Sequence, residues 1–349
     1  MTTQTNLKPQ TDLKSQTSPL KINEFLPPFG LRSPHVQTIF SSLGPRKFAL
    51  LRKFAPFKHH QQEVILQTAD GVRLQGFYNI AKASQPAAAK SKQLVILIHG
   101  WEGCHESSYM LSMASTLLNE GIDVFRLNLR DHGATHHLNE GLFNSTMIKE
   151  VIQAISELQK SLDYSEYVLG GFSLGGNFAL RVAAQAHDCD VSLNKCVVFC
   201  PVVNASDSNE ELLKSQNRVY GKYFVRKWKR SLTKKLEHFP DYGYANILDS
   251  LKTLDQLNAC LIPQYTPYQE IEDYFKAYAI NDDAMSKTIC PCYLHFSRDD
   301  MIIPISGASE LADNPDLHIN ITDRGGHCGY LMNWKLESWQ DQRMLQLAK

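Results

Sequence analysis

The strongest chemical signal in this chain is a serine with glycine two positions away on either side, Gly171-Phe172-Ser173-Leu174-Gly175. A serine hydroxyl is a weak nucleophile until a neighbouring base takes its proton, and that base needs an acid to hold its tautomer. The glycines fit the same purpose. A strand-to-helix turn tight enough to expose a hydroxyl leaves no room for Cβ atoms at its ends, and it holds the serine in a strained backbone conformation. Val168-Leu169 reads as the end of a strand, and the small residues from Leu174 to about Ala186 as a helix. That helix would point its free N–H groups and positive dipole end at the hydroxyl. The chemistry implied is attack on an acyl carbonyl.

The base is expected in Gly325-Gly326-His327-Cys328-Gly329, where glycines let the backbone present an imidazole just after the last strand-like segment, Leu317 to Ile321. The other histidines lie mostly on expected helices, in tails or within strands. Two aspartates compete for the acid in Ser297-Arg298-Asp299-Asp300-Met301-Ile302-Ile303-Pro304. A small residue, two spacers, an acid, three residues and a proline is a common layout. Ser297 and Pro304 therefore favour Asp300, and Asp299 is the alternative, otherwise a loop-capping residue. A tetrahedral oxyanion needs two N–H donors. Leu174, next after the nucleophile, would supply one backbone N–H, and Trp101 in His99-Gly100-Trp101-Glu102-Gly103 the other.

These residues must be carried by a sheet. Glu63 to Gln67 and Val72 to Tyr78 read as early strands joined at Asp70-Gly71. Leu94-Val-Ile-Leu-Ile98 is a continuous apolar run, as expected of a strand buried on both faces. A helix bearing Leu111, Ala114, Leu117 and Leu118 follows and ends at Gly121, then a strand from Asp123 to Leu129 and a helix from Met147 to Leu158. Cys196-Val-Val-Phe-Cys200 and Tyr293-Leu-His-Phe296 are further buried strands. Strands alternating with helices imply an α/β fold, a mostly parallel sheet covered on both faces. Residues from about 204 to 288 break the rhythm. They carry no convincing strand and are charged and aromatic, as an inserted helical cap would be.

Lys plus Arg and Asp plus Glu each number 36, so the net charge is zero and there is no basic footprint for nucleic acid. The cysteines at 104, 189, 196, 200, 260, 290, 292 and 328 lack zinc-type spacing and read as free thiols of a reducing compartment. Residues 1–23 form a polar tail without a signal-type apolar segment, and no apolar run of membrane-spanning length occurs, so a cytoplasmic protein is expected. Asp131, His132, His136 and His137 lack a metal-binding framework and read as a hydrogen-bonded loop. The basic run Lys222, Arg226, Lys227, Lys229, Arg230, Lys234 and Lys235 reads as a solvated helix face; weak peripheral contact with anionic lipid headgroups is the rival reading.

The chain resembles the YheT-like group of α/β-hydrolases, which are esterases and lipases with some acyl-CoA:alcohol acyltransferases among them. The resemblance rests on Leu31-Arg-Ser-Pro-His-Val-Gln-Thr38, His99-Gly-Trp-Glu-Gly103, Gly171-Phe-Ser-Leu-Gly-Gly-Asn177, Tyr220-Gly-Lys-Tyr-Phe-Val-Arg226, Asp299-Asp300 and Gly326-His327. It covers about residues 24 to 349, taken as a single α/β-hydrolase domain with the cap at 204–288. It implies a triad of Ser173, Asp300 and His327 and carboxylic-ester substrates; the expected sheet has eight strands, and the aromatic residues of the cap lead us to expect a short, medium or lipid-like apolar acyl chain. No cofactor or metal is expected. The rival outcomes are transfer of the acyl group from the same acyl-enzyme to an alcohol, and a non-catalytic ligand-binding protein using the same pocket. No chemical role is read for the segment from Leu31 to Thr38 beyond an anchoring strap.

Overall fold

A computed structural model describes residues 25–81 and 92–349; the tail expected over 1–23 lies outside them. Eight strands form one sheet: β1 (Gln62–Gln67), β2 (Arg73–Asn79), β3 (Gln93–Ile98), β4 (Asp123–Leu127), β5 (Glu166–Phe172), β6 (Lys195–Phe199), β7 (Cys292–Ser297) and β8 (Leu317–Thr322). Their order is β1-β2-β4-β3-β5-β6-β7-β8. The hairpin strands β1 and β2 pair antiparallel, and β2 joins β4 antiparallel. Every later pairing is parallel. This is the α/β arrangement expected from the alternation.

The apolar run in β3 explains how the layers assemble. Leu94 to Ile98 are wholly buried, and alternation sends them to opposite faces. Leu94, Ile96 and Ile98 join the core formed with α4 (Ile148–Ser161) and α5 (Leu174–Gln185). Val95 and Leu97 join the core formed with α3 (Ser108–Asn119) and the C-terminal helix Trp339–Ala348. Two further helices precede the sheet, α1 (Pro34–Ser42) and α2 (Pro45–Lys58).

The chain runs from β3 outward to β4, then returns to the other side of β3 as β5. A crevice opens at the strand C-termini where the order reverses in this way. The turn after β3 and the serine after β5 meet there.

Between β6 and β7 come α6 (Ala205–Leu213), α7 (Arg218–His238), α8 (Leu254–Tyr265) and α9 (Ile271–Lys276). Among the described residues this stretch has no strand. The start of α8 is fixed by a capping box between Thr253 and Gln256. Leu232, Tyr244, Leu257 and Leu261 form a small core of their own with Leu142 from the main body. The C-terminal helix, α10, closes the chain. None of the described helices is long and apolar enough to cross a membrane.

The basic run departs from the solvated face expected of it. Lys235 is buried, with its ammonium 2.8 Å from Asp131 Oδ1. Asp131 is spent in this pair and in accepting the N–H of Phe143. Lys229 donates to the carbonyls of Asp249 and Leu251. Lys222, Arg226 and Arg230 remain exposed along one side of α7.

Candidate active site

Ser173 sits at φ 53° and ψ −121°, between the end of β5 and the first turn of α5. This is the left-handed side of the backbone map, where a non-glycine residue is strained. The flanking glycines have steric causes. A Cβ on Gly171 would strike the carbonyl of Gly175, and one on Gly175 would strike the carbonyls of His99 and Ile98. The elbow is therefore pressed against the turn after β3, and a Cβ on Gly100 would come within 3.2 Å of Ser173 Cβ. As the first residue of α5, Leu174 has no acceptor within its own helix for its N–H. Among the described residues, neither Leu174 N–H nor Trp101 N–H donates to a turn or loop carbonyl.

The β3 turn is braced by His99, fully buried beneath it. Its Nδ1 donates to Gly100 O at 2.8 Å, and its Nε2 accepts the Leu129 N–H at 3.1 Å. Burial drives its pKa far down, so the ring is a neutral brace. Trp101 stacks on Phe224 of α7 with centroids 5.1 Å apart, and Trp228 meets it edge-on.

Asp300 and His327 come together. Asp300 Oδ2 lies 2.9 Å from His327 Nδ1, while Oδ1 accepts the N–H groups of Ile302 and Ile303. Asp299 takes a different part: its Oδ1 accepts the Gly326 N–H at 2.8 Å and the Ser297 hydroxyl at 2.5 Å. Asp299 thus holds the backbone of the His327 loop, and Asp300 holds the ring. Ser173 makes no hydrogen bond to either Asp300 or His327 in this structure. Its backbone and the loop share an anchor instead, because Phe199 O accepts both the Ser173 N–H at 2.9 Å and the Cys328 thiol at 3.5 Å.

Electrostatics at His327 favour the imidazolium. Burial opposes the charge, but the Asp300 carboxylate, the Cys328 sulfur and the hydrogen bond to Asp300 together raise the pKa to about 9. Reciprocally, burial works against a Cys328 thiolate, and the hydrogen bond from Cys200 and the charge on His327 outweigh it, so its pKa falls. Cys200, His327 and Cys328 place one ligand-type atom each within 4.8 Å of one another. This grouping was not foreseen, because Cys200 and Cys328 are 128 residues apart.

Ser173 and Leu174 open onto a cavity of about 120 Å³ lined by Val202, Leu212, Phe224, Phe275 and Ile303, among others. A smaller one of about 50 Å³ adjoins it, with Glu102, Asp131, His132 and Lys235 in its wall. Burial, partly offset by Lys227, raises the Glu102 pKa to about 7. Sequence reasoning also missed Gln37 and Thr38, which reach the His327 loop from α1.

The profile of the α/β-hydrolase fold family matches residues 93–332, and the chain belongs to that family. Within it the chain is YheT-like. It is 22% identical over 330 residues to YheT of Escherichia coli (strain K12), an esterase by name, covering 92% of each chain. It is also 22% identical over 270 residues to slr0264 of Synechocystis sp., again an esterase by name, covering 71% of this chain and 73% of the relative. Among solved structures, the Pyrococcus furiosus esterase Pf2001 superposes with a TM-score of 0.52 at 15% identity, over 84% of this chain and 93% of that one. A 2,6-dihydroxy-pseudo-oxynicotine hydrolase gives 0.54 at 17%, over 90% and 76%. These two likenesses speak for the fold.

Proposed function

We propose that this protein is a serine hydrolase that cleaves carboxylic esters through an acyl-enzyme on Ser173. The observation that carries the reading is the 2.9 Å pairing of Asp300 with His327 Nδ1, together with a strained serine that opens onto a mainly apolar cavity. Neutral His327 takes the Ser173 proton as the hydroxyl attacks the ester carbonyl, and later returns it to the leaving alkoxide. Asp300 fixes the ring with Nε2 free and stabilises the imidazolium. The N–H groups of Trp101 and Leu174 hold the oxyanion, each contributing about 3–4 kcal/mol at the transition state. Water, activated by His327, then releases the acid.

Segment 204–288 acts as a cap. Phe224 and Phe275 from its helices would contact the acyl chain, and Trp101 is stacked under Phe224. The exposed line of Lys222, Arg226 and Arg230 supplies the surface at which the cap would touch anionic headgroups, and that contact stays weak because three charges contribute about 1 kcal/mol each.

A fluorophosphonate probe tests the assignment. It should label the wild type at Ser173, with hydrolysis of short and medium p-nitrophenyl esters. Ser173→Ala should abolish both. Labelling that persists in Ser173→Ala would place the nucleophile elsewhere.

A further inference from the structure

The segment Leu31 to Thr38 lies against the loop that carries His327. The Thr38 hydroxyl accepts the backbone N–H of His327 itself, at 2.9 Å. Next to it, fully buried Gln37 spends its whole amide on the chain. Its Nε2 donates to Leu31 O at 2.7 Å and Leu331 O at 3.1 Å, and its Oε1 accepts the Leu331 N–H at 2.6 Å. The fit leaves no slack. A Cβ on Gly326 would come 2.7 Å from both Pro34 O and Thr38 Oγ1, and one on Gly329 would come 2.6 Å from Gln37 O. In the first turn of the same helix, His35 Nδ1 meets the Tyr220 hydroxyl of α7 at 2.8 Å, with the two rings stacked.

We propose that Gln37 and Thr38 are positioning residues for His327, gripping its loop from α1 and, through His35 and Tyr220, coupling that loop to helix α7. The proposal rests on His327 being the base. Neither residue touches substrate; both set where the imidazole stands relative to Asp300 and Ser173. The contacts fall on both sides of the imidazole, at Gly326–His327 and at Gly329–Leu331, so the loop is clamped like a hinge pin rather than merely covered. A displacement of about 1 Å at a reacting group lowers rate on the order of 10²-fold, so a clamp at this place acts on kcat.

Thr38→Val keeps the shape of the side chain and removes the acceptor. In the full chain, kcat for p-nitrophenyl butyrate, per site titrated with fluorophosphonate, should fall roughly 10- to 100-fold with KM little changed. The same variant should move the His327 imidazole titration, followed by NMR, from about 9 toward its ordinary value near 6.5, as the pairing with Asp300 loosens. Thr38→Ser should restore both. Tyr220→Phe leaves the buried amide intact and should lower kcat roughly fivefold, the value of one hydrogen bond. A Thr38→Val protein with unchanged kcat per titrated site and an unchanged His327 titration, whatever its melting temperature, overturns the proposal. The NMR arm does not depend on ester hydrolysis. A wild type that neither labels nor hydrolyses would therefore sink the functional reading, while the titration still decides the strap.

Discussion

The elbow at Ser173 and the loop at His327 are both strained turns at the same crevice, yet they are held in different ways. The elbow has one non-glycine residue at positive φ, Ser173, and passes at once into a regular helix that continues through Gln185. The His327 loop has Gly325 and Gly326 at positive φ, then Cys328 at 53° and Tyr330 at 46°. The two non-glycine residues there, Cys328 and Tyr330, cost about 1–3 kcal/mol each, and persist only where the surroundings over-determine them. Here the surroundings come from far along the chain. Thr38 and Gln37 grip the loop before and after His327, Asp299 holds Gly326, and Gln340 donates to Cys328 O. The proposed nucleophile thus sits in a short sequence motif, whereas the proposed base is positioned by contacts from distant parts of the chain.

The most severe break in this arrangement is expected at the proposed acid, Asp300. Asp300→Asn keeps an acceptor for the N–H groups of Ile302 and Ile303, yet offers His327 the wrong tautomer. kcat should fall on the order of 10⁴-fold with the fold intact. Asp299→Asn still accepts from Gly326 through its amide oxygen, so kcat should change by roughly tenfold or less. Ester hydrolysis and thermal melting of the two variants decide between them. If Asp299→Asn gives the larger loss, the roles of the two aspartates must be exchanged.

The same contrast explains what could be read before the structure. Strand β3 is a continuous apolar run, and the elbow announces itself by two glycines, one packed against the elbow's own backbone and the other against the turn after β3. The sheet and the candidate nucleophile follow from such short-range patterns. His327 and the aspartate pair were legible from glycines and from a proline at a fixed spacing. The division of labour between Asp299 and Asp300 was only partly so, because it depends on which carboxylate meets Gly326 and which meets the ring. Thr38 lies 289 residues from His327, and Lys235 lies 104 residues from Asp131. No local pattern marks a threonine as a partner of a distant N–H, or one lysine of a basic run as the buried one.

A second test sharpens the comparison through charge. Imidazolium cannot act as base, so kcat/KM should rise with pH to an inflection at about 9, the value for His327 in the free protein. The sign for stability follows. A histidine whose folded pKa exceeds its unfolded value of about 6.5 stabilises the fold while protonated. That contribution is full below about 6.5 and is lost as the pH rises to about 9. Cys328→Ala removes the sulfur that helps hold the charge, and should move the inflection down while shrinking this stability window. Each unit of downward movement makes about tenfold more free base at pH 7. A pH profile of kcat/KM for the two proteins checks this, and an inflection that stays in place would mean that Asp300 alone sets the basicity.

The smallest expected effect separates the two turns by function. Ser173 and Leu174 line the apolar cavity together with Phe275, which comes from α9; neither Asp300 nor His327 is in its wall. Acyl-chain selectivity should therefore follow the elbow side, and protonation the His327 side. Each buried CH₂ contributes up to about 0.8 kcal/mol, or roughly a fourfold rise in kcat/KM when all of it is expressed in the transition state. That rise should continue until the cavity is full, then flatten or reverse. Phe275→Leu enlarges the space without adding a polar group and should move the turnover point to a longer chain, leaving the pH inflection where it was. Cys328→Ala should do the opposite, shifting the inflection at an unchanged chain-length optimum. The two variants, each run against a p-nitrophenyl ester series and a pH series, form a crossed test. If Phe275→Leu leaves the optimum in place, selectivity belongs to the core loops and segment 204–288 only covers the site. If either variant moves both readouts together, elbow and base are coupled more tightly than their separate supports imply.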